Sequence, residues 1–193
     1  MLTERRTLRL YSVLERRQPG LTVVMENIHD PHNVSAMLRS ADAVGVMEVQ
    51  LVYDKDEFPK LGKKSSASAV KWIARRKFST VEECYGKLHE EGSLICATHL
   101  SKTACSLYEL DLTKKVALVF GNEHRGVSEI AAKLADVNFQ IPMAGMIQSL
   151  NVSVACAVSL YEASRQRLGS GMYDRPGLSQ SEIEDLFVQW ARK

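Results

Sequence analysis

The sequence lacks the segments that carry a protein into or across a membrane. No stretch approaches the roughly 18 consecutive apolar residues of a membrane span, and residues 1–6 contain no apolar core of the kind found in export signals. The composition, 45% hydrophobic and 25% charged over 193 residues, is ordinary for a globular protein. These properties predict one domain with terminal appendages, in the cytoplasm and not in a membrane.

The signatures of several enzyme classes are also missing. There is no G-x-G-x-x-G after the first apolar run, no G-x-x-x-x-G-K-[ST] and no G-x-S-x-G, which disfavours a dinucleotide-binding start, ATP hydrolysis and a serine hydrolase. The four cysteines show no C-x-x-C spacing, and no cysteine or carboxylate set completes a metal site around His29 and His32. We therefore expect buried free thiols and no metal ion.

What the sequence does contain is a regular alternation of β-branched runs and amphipathic segments. Strands are predicted at 21–26, 47–53, 70–74, 94–98, 116–120 and 137–141, and helices at 3–17, 31–44, 80–91, 128–134, 150–166 and 181–191. This order predicts an α/β fold with a mostly parallel sheet flanked by helices. The predicted division is a basic helix at 1–19, a central domain at 20–166 and a helical extension at 167–193.

Three short polar clusters follow apolar runs, which is where open α/β sheets place their ligand sites. The clusters contain Asn33 with Arg39, then Glu123, then Ser149 with Asn151. Each residue also has a structural interpretation. Asn33 and Glu123 could satisfy backbone amides at a helix start, and one of Ser149 and Asn151 is expected to cap the last long helix.

The segment that follows Asp30 predicts a helix with proline at its first position and an apolar stripe on one face. The stripe consists of Val34, Met37, Leu38 and Ala41. Because Arg39 lies off this stripe, we expect it to project from the sheet, and His32, seven residues earlier, shares its face. A surface arginine without a function remains the alternative.

Basic residues are concentrated in two segments. Residues 1–20 contain five arginines against two glutamates, and residues 55–77 contain eight basic residues against two acidic ones, although the whole chain carries only +2. This segregation suits a face that binds a polyanion. On charge alone, a solvated basic surface is an equally good interpretation.

Three stretches resemble, in order, the signature motifs of the SPOUT-class RNA 2′-O-ribose methyltransferases. They are DPHNVSAMLRSADAVGV at 30–46, LVFGNEHRGVSEI at 118–130 and IPMAGMIQSLNVSVACAVSLYEA at 141–163. The resemblance covers about residues 20–165. The basic opening helix and the extra C-terminal helix most resemble members that modify a guanosine of tRNA.

The resemblance implies a homodimer with a deep trefoil knot in the C-terminal part of the domain, S-adenosylmethionine as cofactor and tRNA as substrate. By position, the implied cofactor residues are Thr98, Leu100, Gly121, Ile141, Met143, Ser149 and Leu150. The implied catalytic set is Arg39, Asn33, Glu123, Ser149 and Asn151. The expected RNA contacts are Arg9, Arg16, Arg17, His32, Lys63 and Lys64.

Two alternatives to tRNA ribose methylation remain at this point. One is methylation of another RNA site, in ribosomal RNA or at the tRNA wobble position. The other is a non-catalytic RNA-binding module on the same scaffold, which would not require all five implied catalytic residues.

Overall fold

The computed structural model describes residues 2–54, 57–59 and 69–193. Within these ranges the helices are α1 (Glu4–Leu14), α2 (Pro31–Ala43), α3 (Ala69–Trp72), α4 (Val81–Glu90), α5 (Glu129–Leu134), α6 (Val152–Gly169) and α7 (Gln180–Ala191). The strands are β1 (Leu21–Glu26), β2 (Glu48–Val52), β3 (Ala74–Phe78), β4 (Leu94–Thr98), β5 (Cys105–Ser106), β6 (Val116–Phe120) and β7 (Val137–Gln140). The α/β alternation predicted from the sequence is confirmed.

The strands form one sheet in the order β3-β2-β1-β6-β4-β7-β5, and every neighbouring pair is parallel. Val23 in β1, for example, pairs with Val49 on one side and Leu118 on the other. Because the strands are parallel, their carboxyl ends meet at a single edge of the sheet. The loops that carry the polar clusters leave from this edge.

Apolar side chains cover both faces of the sheet. On one face the core includes Val34 and Met37 of α2 and Leu160 of α6, and on the other it includes Leu88 of α4 and Ala131 of α5. Continuous apolar strands such as β6 are explained by this two-sided burial. The predicted apolar stripe of α2 is confirmed, since all four of its side chains are buried.

All four cysteines are free thiols. Cys84, Cys96 and Cys156 are buried and Cys105 is half-buried, which largely confirms the prediction. Burial raises the pKa of the Cys84 and Cys96 thiols to about 12 in each case, so these side chains stay protonated and pack as small apolar groups.

The two terminal helices pack against each other. Tyr11 of α1 stacks on Phe187 of α7 with ring centroids 4.4 Å apart, and Trp190 of α7 contacts Trp72 at 5.0 Å. Leu10, Leu14 and other buried apolar residues fill the space between the helices. The extensions at the two ends of the sequence therefore pack together around one apolar cluster.

Arg17, just after α1, is buried, which corrects its predicted role as an RNA contact. Only 1% of it is exposed. Its guanidinium donates to Val46 O at 2.8 Å and to Asp42 Oδ1 at 2.7 Å, and lies 5.0 Å from the ring centre of Trp190. Arg17 thus joins the terminal helices to α2, and its charge is not available to a polyanion.

The strand predicted at 70–74 is wrong. Residues Ala69–Trp72 form α3, and the strand begins at Ala74 and runs to Phe78. This strand, β3, lies at the edge of the sheet, and Arg75 and Lys77 are exposed on it. Charged side chains on an edge strand oppose pairing with other chains, and they also remove the apolar pattern by which a strand is predicted.

Candidate active site

A cavity of about 610 Å³ lies at the carboxyl ends of β4, β6 and β7. Its lining includes all seven residues that the family resemblance placed at the cofactor: Thr98, Leu100, Gly121, Ile141, Met143, Ser149 and Leu150. The volume falls within the range of roughly 300–1,000 Å³ that small-molecule sites occupy. Apolar walls and a few polar groups around them suit an organic ligand.

Close backbone packing fixes the wall of the cavity after β6. A Cβ atom on Gly121 would lie 2.2 Å from backbone atoms of Gly126 and Val127, so no residue with a side chain fits there without a shift of the loop. Asn122 strengthens the same turn by donating to Asn27 O at 2.8 Å and accepting from His124 N at 3.0 Å. The loop is therefore held in one conformation by its own chain.

Glu123 connects this loop to the start of α2. Its Oε1 accepts from Asp30 N at 3.0 Å and from Asn33 Nδ2 at 2.9 Å, and its Oε2 accepts from His29 N at 3.0 Å. The carboxylate thus satisfies donors at the helix start, as the structural interpretation of Glu123 predicted. It also fixes the direction of the Asn33 side chain, which is largely buried.

These contacts determine the charge state of Glu123. Burial raises the pKa of the carboxyl group, but hydrogen bonds from Asn33 and from the backbone amides of His29 and Asp30 outweigh burial, so the pKa is lowered. A carboxylate that is stable in its ionised form is a weak proton acceptor. Glu123 is suited to orienting its neighbours and not to removing a proton.

The loop at 143–151, on the opposite wall, is much more open. Met146 is 100% exposed and Ile147 is 61% exposed. Asn151 caps α6, because its Oδ1 accepts from Ser153 N at 2.9 Å and from Ser153 Oγ at 2.6 Å. Ser149 lines the cavity and forms no hydrogen bond with any residue that the structure describes. Of the two predicted capping candidates, Asn151 is the cap.

Arg39 projects from α2 into solvent, as predicted from its position off the apolar stripe. It makes no hydrogen bond or ion pair with the residues described here, and it does not line the cavity of its own chain. Asn33 is also absent from the lining. A single chain therefore brings Glu123, Ser149 and Asn151 to the cavity and leaves Arg39 outside it.

The residues predicted to contact RNA are found in different environments. Arg9, Arg16 and His32 are exposed, whereas Lys63 and Lys64 lie outside the described residues.

Several cavity residues were not predicted from the sequence. They include His99, His124, Arg125, Gln140 and Gln148. His124, Arg125 and Gln148 lie within the quoted motifs at 118–130 and 141–163, so their position in those motifs was the available signal.

Comparisons with known proteins show the family to which the chain belongs. Residues 20–161 match the SpoU rRNA Methylase family. The chain is 48% identical over 191 residues to the tRNA (guanosine(18)-2'-O)-methyltransferase of Thermus thermophilus, covering 99% of this chain and 98% of that protein.

Solved structures extend the comparison. The A. aeolicus TrmH/SpoU tRNA modifying enzyme has a TM-score of 0.92 and 41% identity, covering 98% of this chain and 96% of the other. The SpoU methyltransferase AviRb of Streptomyces viridochromogenes, solved in complex with the cofactor AdoMet, has a TM-score of 0.71 and 26% identity, covering 80% of this chain and 62% of the other. The protein described here belongs to the SpoU rRNA Methylase family.

Proposed function

We propose that this protein transfers a methyl group from S-adenosylmethionine to the ribose 2′-hydroxyl of guanosine 18 in tRNA. The observation that carries the proposal is the cavity at the ends of β4, β6 and β7, which unites the whole predicted cofactor set beside the Glu123–Asn33 contact. The near-full-length similarity to a tRNA (guanosine(18)-2'-O)-methyltransferase supports this substrate.

The cavity is suited to the cofactor in size and chemistry. Leu100, Ile141 and Leu150 offer apolar surface for a flat base, and Ser149 offers a hydroxyl group. The Thr98 hydroxyl donates to Val119 O at 3.0 Å, so toward a ligand it can only accept. S-adenosylmethionine would supply an activated methyl group on its sulfonium. The proposal includes the deep trefoil knot implied by the family, which would bring the 141–151 loop beside the loop after β6.

A second copy of the chain completes the site in this proposal. An exposed apolar stripe runs along α6, with Val154 47%, Tyr161 58% and Leu168 60% exposed. The residues are seven apart, so they lie on one face of the helix. Large exposed apolar surfaces of this kind mark sites of association. In the resulting homodimer, Arg39 of one chain faces the cavity of the other.

The chemistry requires a poor nucleophile, the ribose 2′-hydroxyl, to be oriented and stabilised as it loses its proton. The positively charged guanidinium of Arg39 stabilises the developing alkoxide and the neighbouring phosphate. Asn33, held by Glu123, positions Arg39 on α2. Ser149 and Asn151 donate hydrogen bonds to the ribose or the guanosine.

The tRNA would extend from this site over basic surface. Arg9 on α1, Arg16 just after α1 and His32 at the start of α2 are exposed and able to contact phosphates. Lys63 and Lys64 belong to the same proposal. We place the reaction in the cytoplasm, with residues 1–19 and 167–193 serving as the extensions of a methyltransferase domain at 20–166.

Nucleoside mass spectrometry with fragment mapping tests the function. Unmodified tRNA is incubated with S-adenosylmethionine and the wild-type protein, Arg39→Ala or Lys133→Ala, the last removing an exposed cation on α5. We expect 2′-O-methylguanosine at position 18 with the wild type and Lys133→Ala, and none with Arg39→Ala. Methylation only of ribosomal RNA, or only at the wobble position, would replace the proposed substrate. No methylation of any RNA would favour a binding module.

A further inference from the structure

A second cavity, of about 370 Å³, opens at the carboxyl ends of β1 and β6. It shares Asn122, Arg125, Gly126 and Val127 with the first cavity, so the loop after β6 separates the two. None of the residues predicted for cofactor, catalysis or RNA lines it. This cavity is therefore a neighbour of the proposed active site with no role assigned so far.

The second cavity lies at the point where the strand order reverses. From β1 the chain continues to β2 and β3 at one edge of the sheet, and it then returns to build β4 on the far side of β6. The crevice between the carboxyl ends of β1 and β6 is consequently a topological switch point. Open α/β sheets bind ligands in such crevices.

A buried carboxylate is directed toward this crevice. Glu26, the last residue of β1, is 3% exposed, and it lines the cavity. Its Oε2 accepts from Ser128 N at 2.9 Å, whereas its Oε1 forms no hydrogen bond with any described residue. Oε1 is not one of the fully buried atoms that lack a partner, so it is open to the cavity and free to accept hydrogen bonds. A ligand that presents N–H groups would complement it.

Among the RNA bases, guanine presents two neighbouring donors, N1–H and the N2 amino group, on one edge. Proteins read single-stranded RNA by binding extruded bases through such edges. Val127 and Ile130 supply apolar surface against which a flat ring can pack, and 370 Å³ is ample for one base. Adenine, cytosine and uracil do not carry two adjacent donors on this edge.

We propose that the second cavity binds a guanine base of the RNA substrate, with Glu26 Oε1 accepting hydrogen bonds from N1–H and the N2 amino group. This inference rests on the proposed function, because it takes RNA as the substrate. The base belongs either to the target guanosine or to a nearby guanosine of the same loop. Glu26 would then select the substrate without taking part in the methyl transfer.

The test combines a protein variant with an RNA variant. Inosine lacks only the N2 amino group of guanosine, and it is placed at one D-loop guanosine at a time. Transcripts are methylated by the wild type, by Glu26→Gln and by Glu129→Gln, which removes an exposed carboxylate at the same cavity. For the target position, 2′-O-methylinosine is measured. Thermal unfolding verifies that each variant is folded.

At the position whose base occupies the second cavity, we expect inosine to lower kcat/KM of the wild type and of Glu129→Gln by about tenfold or more, since a hydrogen bond to a charged acceptor is lost. Glu26→Gln should show a much smaller inosine penalty there, because its partner for the amino group is already altered. An inosine penalty at the target position means that the second cavity binds the target base. A penalty at another position means that it binds a neighbouring guanine.

Any influence of inosine on RNA folding is common to the three proteins and cancels in the comparison. Equal penalties for wild type and Glu26→Gln at every position would overturn the inference. The absence of any inosine penalty for the wild type would overturn it without reference to the variant. If the wild type fails to methylate the all-guanosine transcript, the proposed function itself fails, and the inference fails with it.

Discussion

The two loops that line the main cavity are built in opposite ways. In the loop after β6, the side chains of Asn122 and Glu123 bind the backbone of their own chain, with Glu123 also binding Asn33, at 2.8–3.3 Å. In the 143–151 loop, Met146 and Ile147 are exposed, and Ser149 has no partner among the described residues. The polar side chains of the first wall have hydrogen-bond partners within the chain, whereas the second wall is exposed and its Ser149 has none among the described residues.

This difference separates two requirements of the proposed reaction. A rigid wall keeps Glu123, Asn33 and the start of α2 in a fixed arrangement before any ligand binds, which reduces the cost of organising the site. An open wall leaves room for the cofactor, the RNA and a second chain, each of which can supply the missing contacts. A related contrast separates Arg17, which is buried and paired with Asp42, from Arg39, which is exposed.

Alanine substitution of one glycine in each loop tests the contrast most severely. Gly121→Ala should destabilise the protein by more than about 3 kcal/mol, because its Cβ would clash with backbone atoms 2.2 Å away. Gly145→Ala, whose Cβ meets nothing within 4 Å, should change stability by less than about 0.5 kcal/mol. Chemical denaturation measures both, and equal effects would show that the loops do not differ in packing.

The open side of the molecule should depend on a second chain. Tyr161→Glu places a charge in the middle of the α6 stripe, where Tyr161 is 58% exposed, and should weaken dimerisation by at least about 100-fold, or about 3 kcal/mol. Leu134→Glu alters a leucine that is 41% exposed on α5, which packs on the other face of the sheet from α6, and it should leave the dimer intact. Analytical ultracentrifugation measures both variants.

A wild-type protein that sediments as a monomer would contradict the role given to the stripe. So would a Tyr161→Glu protein that dimerises as tightly as the wild type.

The rigid wall should show a smaller, pH-dependent effect. Glu123→Gln replaces an oxygen acceptor by a donor that faces a backbone N–H, so it should cost about 1–2 kcal/mol at neutral pH, allowing for the partial exposure of the site. Because the folded-state pKa of Glu123 is lowered from its ordinary 4.5, this stabilisation is present above pH 4.5 and is lost as the pH falls through the folded-state value.

Urea denaturation of the wild type and of Glu123→Gln between pH 3 and pH 7 measures how the difference in their free energies of unfolding changes with pH. Glu129→Gln serves as the exposed control. A stability difference between wild type and Glu123→Gln that does not shrink on acidification would contradict the assignment.

Local sequence signals were sufficient for most of the fold. The strands β1, β4 and β6 begin and end where predicted, because each is an apolar run between turn or helix signals. The prediction failed for β3, whose Ala-Arg-Arg-Lys-Phe sequence has no apolar alternation. The two-residue strand β5 was missed because it is too short to produce a pattern.

The environment of individual side chains was harder to predict. Arg17 belongs to a basic segment, and only Asp42 and Trp190, far away in the sequence, show that it is buried. Likewise, the donors to Glu123 lie 90 to 94 residues earlier in the chain. Such contacts depend on the sheet order, which local patterns do not contain.

Heterodimers of two variants, each expected to be inactive as a homodimer, test the central claim most directly, namely that Arg39 of one chain serves the cavity of the other. Arg39→Ala is paired with Asn151→Asp, which keeps the helix cap but changes the group offered to the RNA. Differently tagged chains are co-expressed, and the purified heterodimer is assayed for tRNA methylation. The account predicts activity, because one cavity with Asn151 then faces an intact Arg39. An inactive heterodimer would contradict it and place Arg39 with the cavity of its own chain.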